Sequence, residues 1–151
     1  MLIAERRGFF RRRYEVRDDA AGAVAPVELV LSTWERRGEF VLDDVVHEIR
    51  LRRRFLMGHD GSLLAGGREL AHADGMGTAD WTLQTDDRRY RFVRPHLFRR
   101  TQDMVEAGES VGSVRRTALT SGAEADLPLL PLRVQLFVVG ALLLVWEEES
   151  S

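Results

Sequence analysis

Up to about residue 117 the chain alternates short apolar or β-branched runs with arginines and Asp/Gly breaks. "YEVR" (14–17), "VELVLS" (27–32), "EFVL" (39–42), "HEIRLRRRFLMG" (47–58), "ELAHA" (69–73), "ADWTLQ" (79–84), "RYRFV" (89–93), "DMVEA" (103–107) and "SVGSVRR" (110–116) each read as a strand. Period-two alternation bounded by Gly, Asp and Asn is the signature of half-buried strands, because successive side chains point to opposite faces. In "RYRFVR" that rule puts Tyr90 and Phe92 on one face, with Arg89 and Arg91 on the other. Turns recur every 8–12 residues or so, the spacing of a β-meander. No long amphipathic pattern interrupts the region, so one domain spanning 1–151 is expected.

An internal echo strengthens the strand reading. Shifted by 41 residues, "HEIRLRRRFL" lies over "RRYRFVRPHL", so Ile49 meets Tyr90, Leu51 meets Phe92 and Arg53 meets Arg94. The same shift lays "GRELAHA" (67–73) over "GESVGSV" (108–114), matching Gly67 to Gly108, Leu70 to Val111 and Ala73 to Val114. Two blocks at one offset point to a repeated strand–turn–strand unit.

The grammar changes at "SGAEADLPLLPL". Pro128 and Pro131 suit an extended lead-in and exclude a central strand or a helix interior there. The run Val134–Trp146 then carries no proline and only Gly140 as a weak spot; it is too long for a typical strand and reads as a helix over about 133–146. At 1.5 Å per residue its thirteen residues reach about 20 Å, short of a bilayer core of about 30 Å. A tail anchor would have to recruit two prolines, Arg133 and Gln135. The alternative is burial on all sides. A helix apolar all round needs something to wrap it, and nearly everything before it is β. An eight-stranded barrel is filled by its own side chains, whereas about eleven strands can house a helix.

The expected fold is therefore mainly β: a closed antiparallel barrel of about 9–12 short strands within residues 9–125. It encloses a proline-led helical segment (127–146), and Leu136, Phe137, Val139, Leu143 and Trp146 fill its centre. Residues 147–151 are expected as an acidic tail in solvent.

Composition narrows function mainly by exclusion. Net charge is −2, so overall charge recruits neither nucleic acid nor acidic membranes. All 22 basic residues are arginine, which suits planar bidentate anion recognition and equally a codon bias. With no cysteine, thiol catalysis, disulfides and cysteine-ligated zinc are excluded. Charges at Glu5, Arg6 and Arg7 interrupt any signal-peptide stretch, so a cytoplasmic protein is expected, with peripheral membrane association as an option.

Candidate chemistry is sparse. His47, His59, His72 and His96 lack metal-site spacing. "HDG" (59–61) and "HADG" (72–75) read as turn chemistry rather than acid/base pairs, as do Asp18-Asp19, Asp43-Asp44 and Asp86-Asp87. No catalytic residue, metal or cofactor is expected, and the chain reads as a non-enzyme. The strongest lead is arginine. Residues 88–116 hold eight (88, 89, 91, 94, 99, 100, 115, 116) against three acids, and Arg52, Arg53 and Arg54 belong to the echoed block. On neighbouring strands Arg52, Arg53, Arg54, Arg89, Arg91, Arg94, Arg99 and Arg100 would form one face for phosphate headgroups or an acidic partner. The competing reading is a solvated wall whose arginines cancel against nearby carboxylates. Tyr90, Phe92 and Phe98 alternate inward, so nucleic acid is not expected.

"GRELAHA", "DWTLQ", "RYRFVR", "GESVGSVRR" and "EADLPLLPLRVQLFVVGALLLVW" together resemble the tubby C-terminal-like superfamily over about residues 39–146, most closely the small bacterial LURP-one-like proteins. The likeness rests on element order and the closing helix. It implies a β-barrel around a hydrophobic helix. It also implies a connection to phospholipid: tubby domains bind phosphoinositides through basic residues, and phospholipid scramblases associate with membranes and calcium. No family lipid or calcium site maps onto residues of this chain. The expected function is a binding or scaffold module that takes anionic lipid headgroups through an arginine-rich face. The alternatives are a structural or protein-interaction domain without lipid affinity and, third, a tail-anchored membrane protein.

Overall fold

The computed structural model describes residues 1–7, 12–19, 25–95, 101–117 and 121–150. Twelve strands follow one another: β1 (Leu2–Arg7), β2 (Arg12–Asp18), β3 (Val27–Ser32), β4 (Arg37–Leu42), β5 (Val45–Arg53) and β6 (His59–Ala65), then β7 (Arg68–Met76), β8 (Asp80–Thr85), β9 (Arg89–Val93), β10 (Thr101–Glu106), β11 (Glu109–Arg116) and β12 (Ala123–Asp126). One helix, α1 (Leu132–Ser150), ends the chain. Every strand pairs antiparallel with its sequence neighbour, and β1 closes on β12 through Leu2↔Ala125, Ile3↔Glu124 and Ala4↔Ala123. Closure leaves no free strand edge among the described residues, which removes the usual route to edge-to-edge association.

Inward positions alternate as the pattern requires: Leu29 and Leu31, Ile49 and Leu51, Trp81 and Leu83, Tyr90 and Phe92. They face α1, in which Val134 and every residue from Leu136 to Trp146 are buried. Leu136, Phe137, Val139, Leu143 and Trp146 occupy the lumen as expected. Burying each such side chain contributes roughly 1.5–3 kcal/mol, so the helix and wall stabilise one another. Gly140 is where they approach closest: a Cβ there would sit 2.6 Å from Ile49 Cδ1 and 3.3 Å from Leu29. The apparent weak spot is a packing requirement. Two polar contacts inside join partnered groups. Trp81 Nε1 donates to Gln102 Oε1 at 3.1 Å, and His47 stacks on Phe40 and pairs its Nδ1 with the Val45 carbonyl at 3.0 Å.

The 41-residue echo maps β5 onto β9 and β7 onto β11, four strands further round the barrel. Ile49/Tyr90 and Leu51/Phe92 all point inward, and Gly67 and Gly108 take the same left-handed conformation (φ 75° and 81°) in equivalent hairpins.

Several boundaries differ from expectation. The barrel begins at Leu2 rather than residue 9, and its last strand, β12, ends at Asp126, one residue past the expected limit. "HDG" opens β6 and "HADG" lies inside β7, so neither is a turn. β5 stops at Arg53, which leaves "RFLM" in a loop. The helix runs to Ser150, so Glu147–Glu149 form its last turn instead of a solvent tail. No helix among the described residues is long and apolar enough to cross a membrane.

Candidate anion-binding rim

Because neighbouring strands alternate in direction, the barrel has two chemically distinct ends. At the turn end three hairpins close in two residues with positive φ at both: Asp43–Asp44, Gly66–Gly67 and Ala107–Gly108. That is type I′ geometry, matched to the twist of paired strands. At the loop end the odd-numbered strands finish, none of the connections is a two-residue turn, and α1 presents its acidic C-terminus.

The loop end gathers charge around that terminus. Glu147 pairs with Arg12 and accepts a 3.3 Å hydrogen bond from the Tyr14 hydroxyl. Glu148 receives Arg36 Nε and Nη2 at 3.2 and 3.0 Å and His59 Nε2 at 2.8 Å, with Arg53 at 3.9 Å. Arg116 reaches Ser150 at 3.1 Å. Three glutamates at a helix C-terminus oppose its dipole, and these cations offset that. The Arg36 hydrogen bond, opposed by burial and aided by His59, holds the Glu148 carboxyl below the usual carboxylate range. Burial, then the neighbouring Glu147 charge, pushes the Tyr14 phenol up to about 12. His59 Nδ1 is buried with no hydrogen-bond partner among the described residues.

The expected arginine face is divided. β5 and β9 are separated by three strands, so their arginines are not neighbours. Arg52, Arg53 and Arg54 stand at the loop end. They share two carboxylates that already have other partners. Arg52 and Arg54 lie 3.3 and 3.8 Å from Asp60, which also takes the Gly75 amide, and Arg53 shares Glu148. The side chains of Arg52 and Arg53 are 83% and 70% exposed. Arg94 lies toward the same end, with its Nε buried and unpartnered among the described residues. Arg89 begins β9 at the turn end and contacts Gln84. Arg91 is on the outer wall, clamped by Asp80 at 2.7–3.2 Å. Arg88–Glu106 and Arg115–Glu124 are likewise paired. His96, Phe98, Arg99 and Arg100 lie outside the described residues.

One feature of this end escaped the sequence pattern. Trp34, in the β3–β4 loop, is 95% exposed, and Phe55, Leu56 and Met57, in the β5–β6 loop, are 99%, 85% and 69% exposed. The signal was present: three arginines followed by three apolar residues cannot alternate, so a strand must end between them. His72 contacts Asp74 and Ser62 on the outer wall, and among the described residues no group of three His, Asp or Glu could hold a metal ion.

No family model, curated protein or solved structure matches this chain.

Proposed function

We propose that the chain is a non-catalytic binding module of the LURP-one/tubby-like type, taking phosphate-bearing anions, lipid headgroups foremost, at the loop end of the barrel. The observation that carries it is local charge. Arg36, Arg52, Arg53 and Arg54 crowd around Asp60 and Glu148, and three of them reach into solvent with incomplete pairing. Guanidinium groups in that state bind phosphate oxygens in bidentate fashion and exchange a weak surface contact for a stronger one. The lumen is occupied by α1, so a ligand meets the barrel from outside. The resemblance in element order to the tubby-like superfamily favours the lipid side of the reading, and the localisation that goes with it is peripheral, at a cytoplasmic membrane surface.

The alternative, a structural or protein-interaction domain without lipid affinity, draws support from the wall, where Arg88, Arg91 and Arg115 are each paired with a carboxylate.

Calorimetric titration with inositol hexakisphosphate separates the two. Binding that weakens with salt, and is lost in Arg52→Ala/Arg53→Ala/Arg54→Ala while Arg89→Ala/Arg91→Ala retains it, supports the rim. Absence of binding, or equal loss in both variants, refutes it.

A further inference from the structure

We propose that the loop end is a membrane-docking face: the tips of the β3–β4 and β5–β6 hairpins enter the interfacial layer of an anionic bilayer while the arginines behind them hold its phosphates. This rests on the anion reading above and names the partner.

Apolar surface left in water is costly. Trp34, Phe55, Leu56 and Met57 are the most exposed large apolar side chains among the described residues, in a chain that buries its other two tryptophans, Trp81 and Trp146. Scattered exposed apolar residues need no explanation, but clusters do. These four sit on two hairpins built from consecutive strands, β3 to β6, along one arc of one rim. Strand spacing places the two tips about 10 Å apart. The turn end carries exposed Val41, Val45 and Val46, but these are only about half exposed and lie on β4 and β5 rather than beyond them.

Shape and order then select the partner. The tips project from the rim. The β5–β6 loop is fixed at its base, where the Arg54 amide donates to the Gly58 carbonyl at 3.0 Å. Gly58 holds φ 78°, and a Cβ there would press to 2.9 Å on Thr78. The β3–β4 loop is tied to the same strand, since the Leu51 amide donates to the Arg36 carbonyl at 2.9 Å. Apolar side chains this exposed, on loops beyond the strand ends, suit a fluid layer that closes around them. Along the chain the arginines immediately precede the apolar tip: Arg52, Arg53 and Arg54, then Phe55, Leu56 and Met57. On an approaching bilayer that order sets guanidinium groups at phosphate depth and apolar groups at the acyl boundary. Trp and Phe favour that boundary, and basic side chains are drawn to anionic headgroups.

Trp34 provides the readout. The other two tryptophans are buried, so a change in emission on adding vesicles reports the β3–β4 tip. Full-length protein is mixed with phosphatidylcholine vesicles with and without phosphatidylglycerol. The expected result is a blue shift, and quenching by brominated acyl chains, with the anionic vesicles only and reduced by salt. Phe55→Ser/Leu56→Ser/Met57→Ser touches only exposed groups and should keep the wild-type melting temperature. It should still bind inositol hexakisphosphate, yet partition to vesicles about a hundredfold more weakly. If that variant binds vesicles as the wild type does, or if bound protein leaves Trp34 in water, docking by the tips is overturned while the anion reading stands. If polyphosphate binding is absent and neutral vesicles bind equally well, the anion reading fails and this proposal with it. A dimer that the triple variant abolishes, without vesicle binding, would assign the face to a second copy of the chain and also overturn the proposal.

Discussion

The two ends of this barrel are finished by different means. At the turn end, backbone geometry does the work: Asp43–Asp44, Gly66–Gly67 and Ala107–Gly108 reverse the chain in two residues and leave little to project. At the loop end, side chains do it: Glu147 and Glu148 tie the last turn of α1 to β2, the β3–β4 loop and β6, and apolar tips stand beyond the rim. One end is sealed by local conformation and tolerates little variety. The other is held by long-range ion pairs and leaves its loops available for recognition, as loops on a rigid scaffold commonly are.

The difference can be tested from the middle outward. Leu143→Asp should have the largest effect, because it removes what both ends enclose. An unpaired charge there costs about 5 kcal/mol or more, comparable to a typical total stability of about 5–15 kcal/mol. Soluble expression should be lost, and a soluble folded variant would mean that α1 is not inside the barrel.

Glu148→Gln comes next and acts only at the loop end. Losing the charge that Arg36 and His59 share should cost about 1–3 kcal/mol at neutral pH in denaturant unfolding. Its pH dependence has a definite sign. The folded carboxyl titrates below its ordinary value of 4.5. Its contribution is therefore complete above that value and is lost as pH falls through the folded one. The acid arm of the stability curve should be shallower in Glu148→Gln; an unchanged arm would remove Glu148 from the latch.

Gly67→Ala probes the turn end. Nothing lies near a Cβ there, but φ is 75°, so the penalty is conformational alone, about 1 kcal/mol, visible as a lower Tm with no change in ligand binding. The smallest effect belongs to the wall. Arg91→Ala breaks an exposed, solvent-screened pair with Asp80 and should leave Tm nearly unchanged, without altering polyphosphate affinity. A large loss of affinity there would move the binding site from the rim to the wall.

The fold was largely legible because two signals are local and strong: period-two alternation in segments such as Arg89–Val93, and an apolar run too uniform to have a solvent face. What was missed depends on partners distant in sequence. β12 has four residues, "AEAD", and is a strand only because β1 and β11 flank it. β6 begins at His59 because Arg53 and Met76 pair with it in the ladder, and its ring meets Glu148, 89 residues later. The glutamates read as solvated for the same reason: nothing near them in the chain announces Arg12 or Arg36. The candidate site was half legible. Arginine clustering is written in the sequence, but which arginines share an end follows from strand direction and count. That separates Arg52, Arg53 and Arg54 from Arg89.

The seam between β1 and β12 also governs how this protein is made. Leu2 must wait for Ala125, and the helix that fills the lumen follows later still. At ribosomal rates of about 5–20 residues per second, the first strand, with β2 already available on one edge, spends roughly 6–25 s without β12 on the other. Through that interval the strands present an apolar inner surface with nothing against it. Closure is therefore a late event: it cannot precede β12, and the lumen is filled only once α1 has followed it.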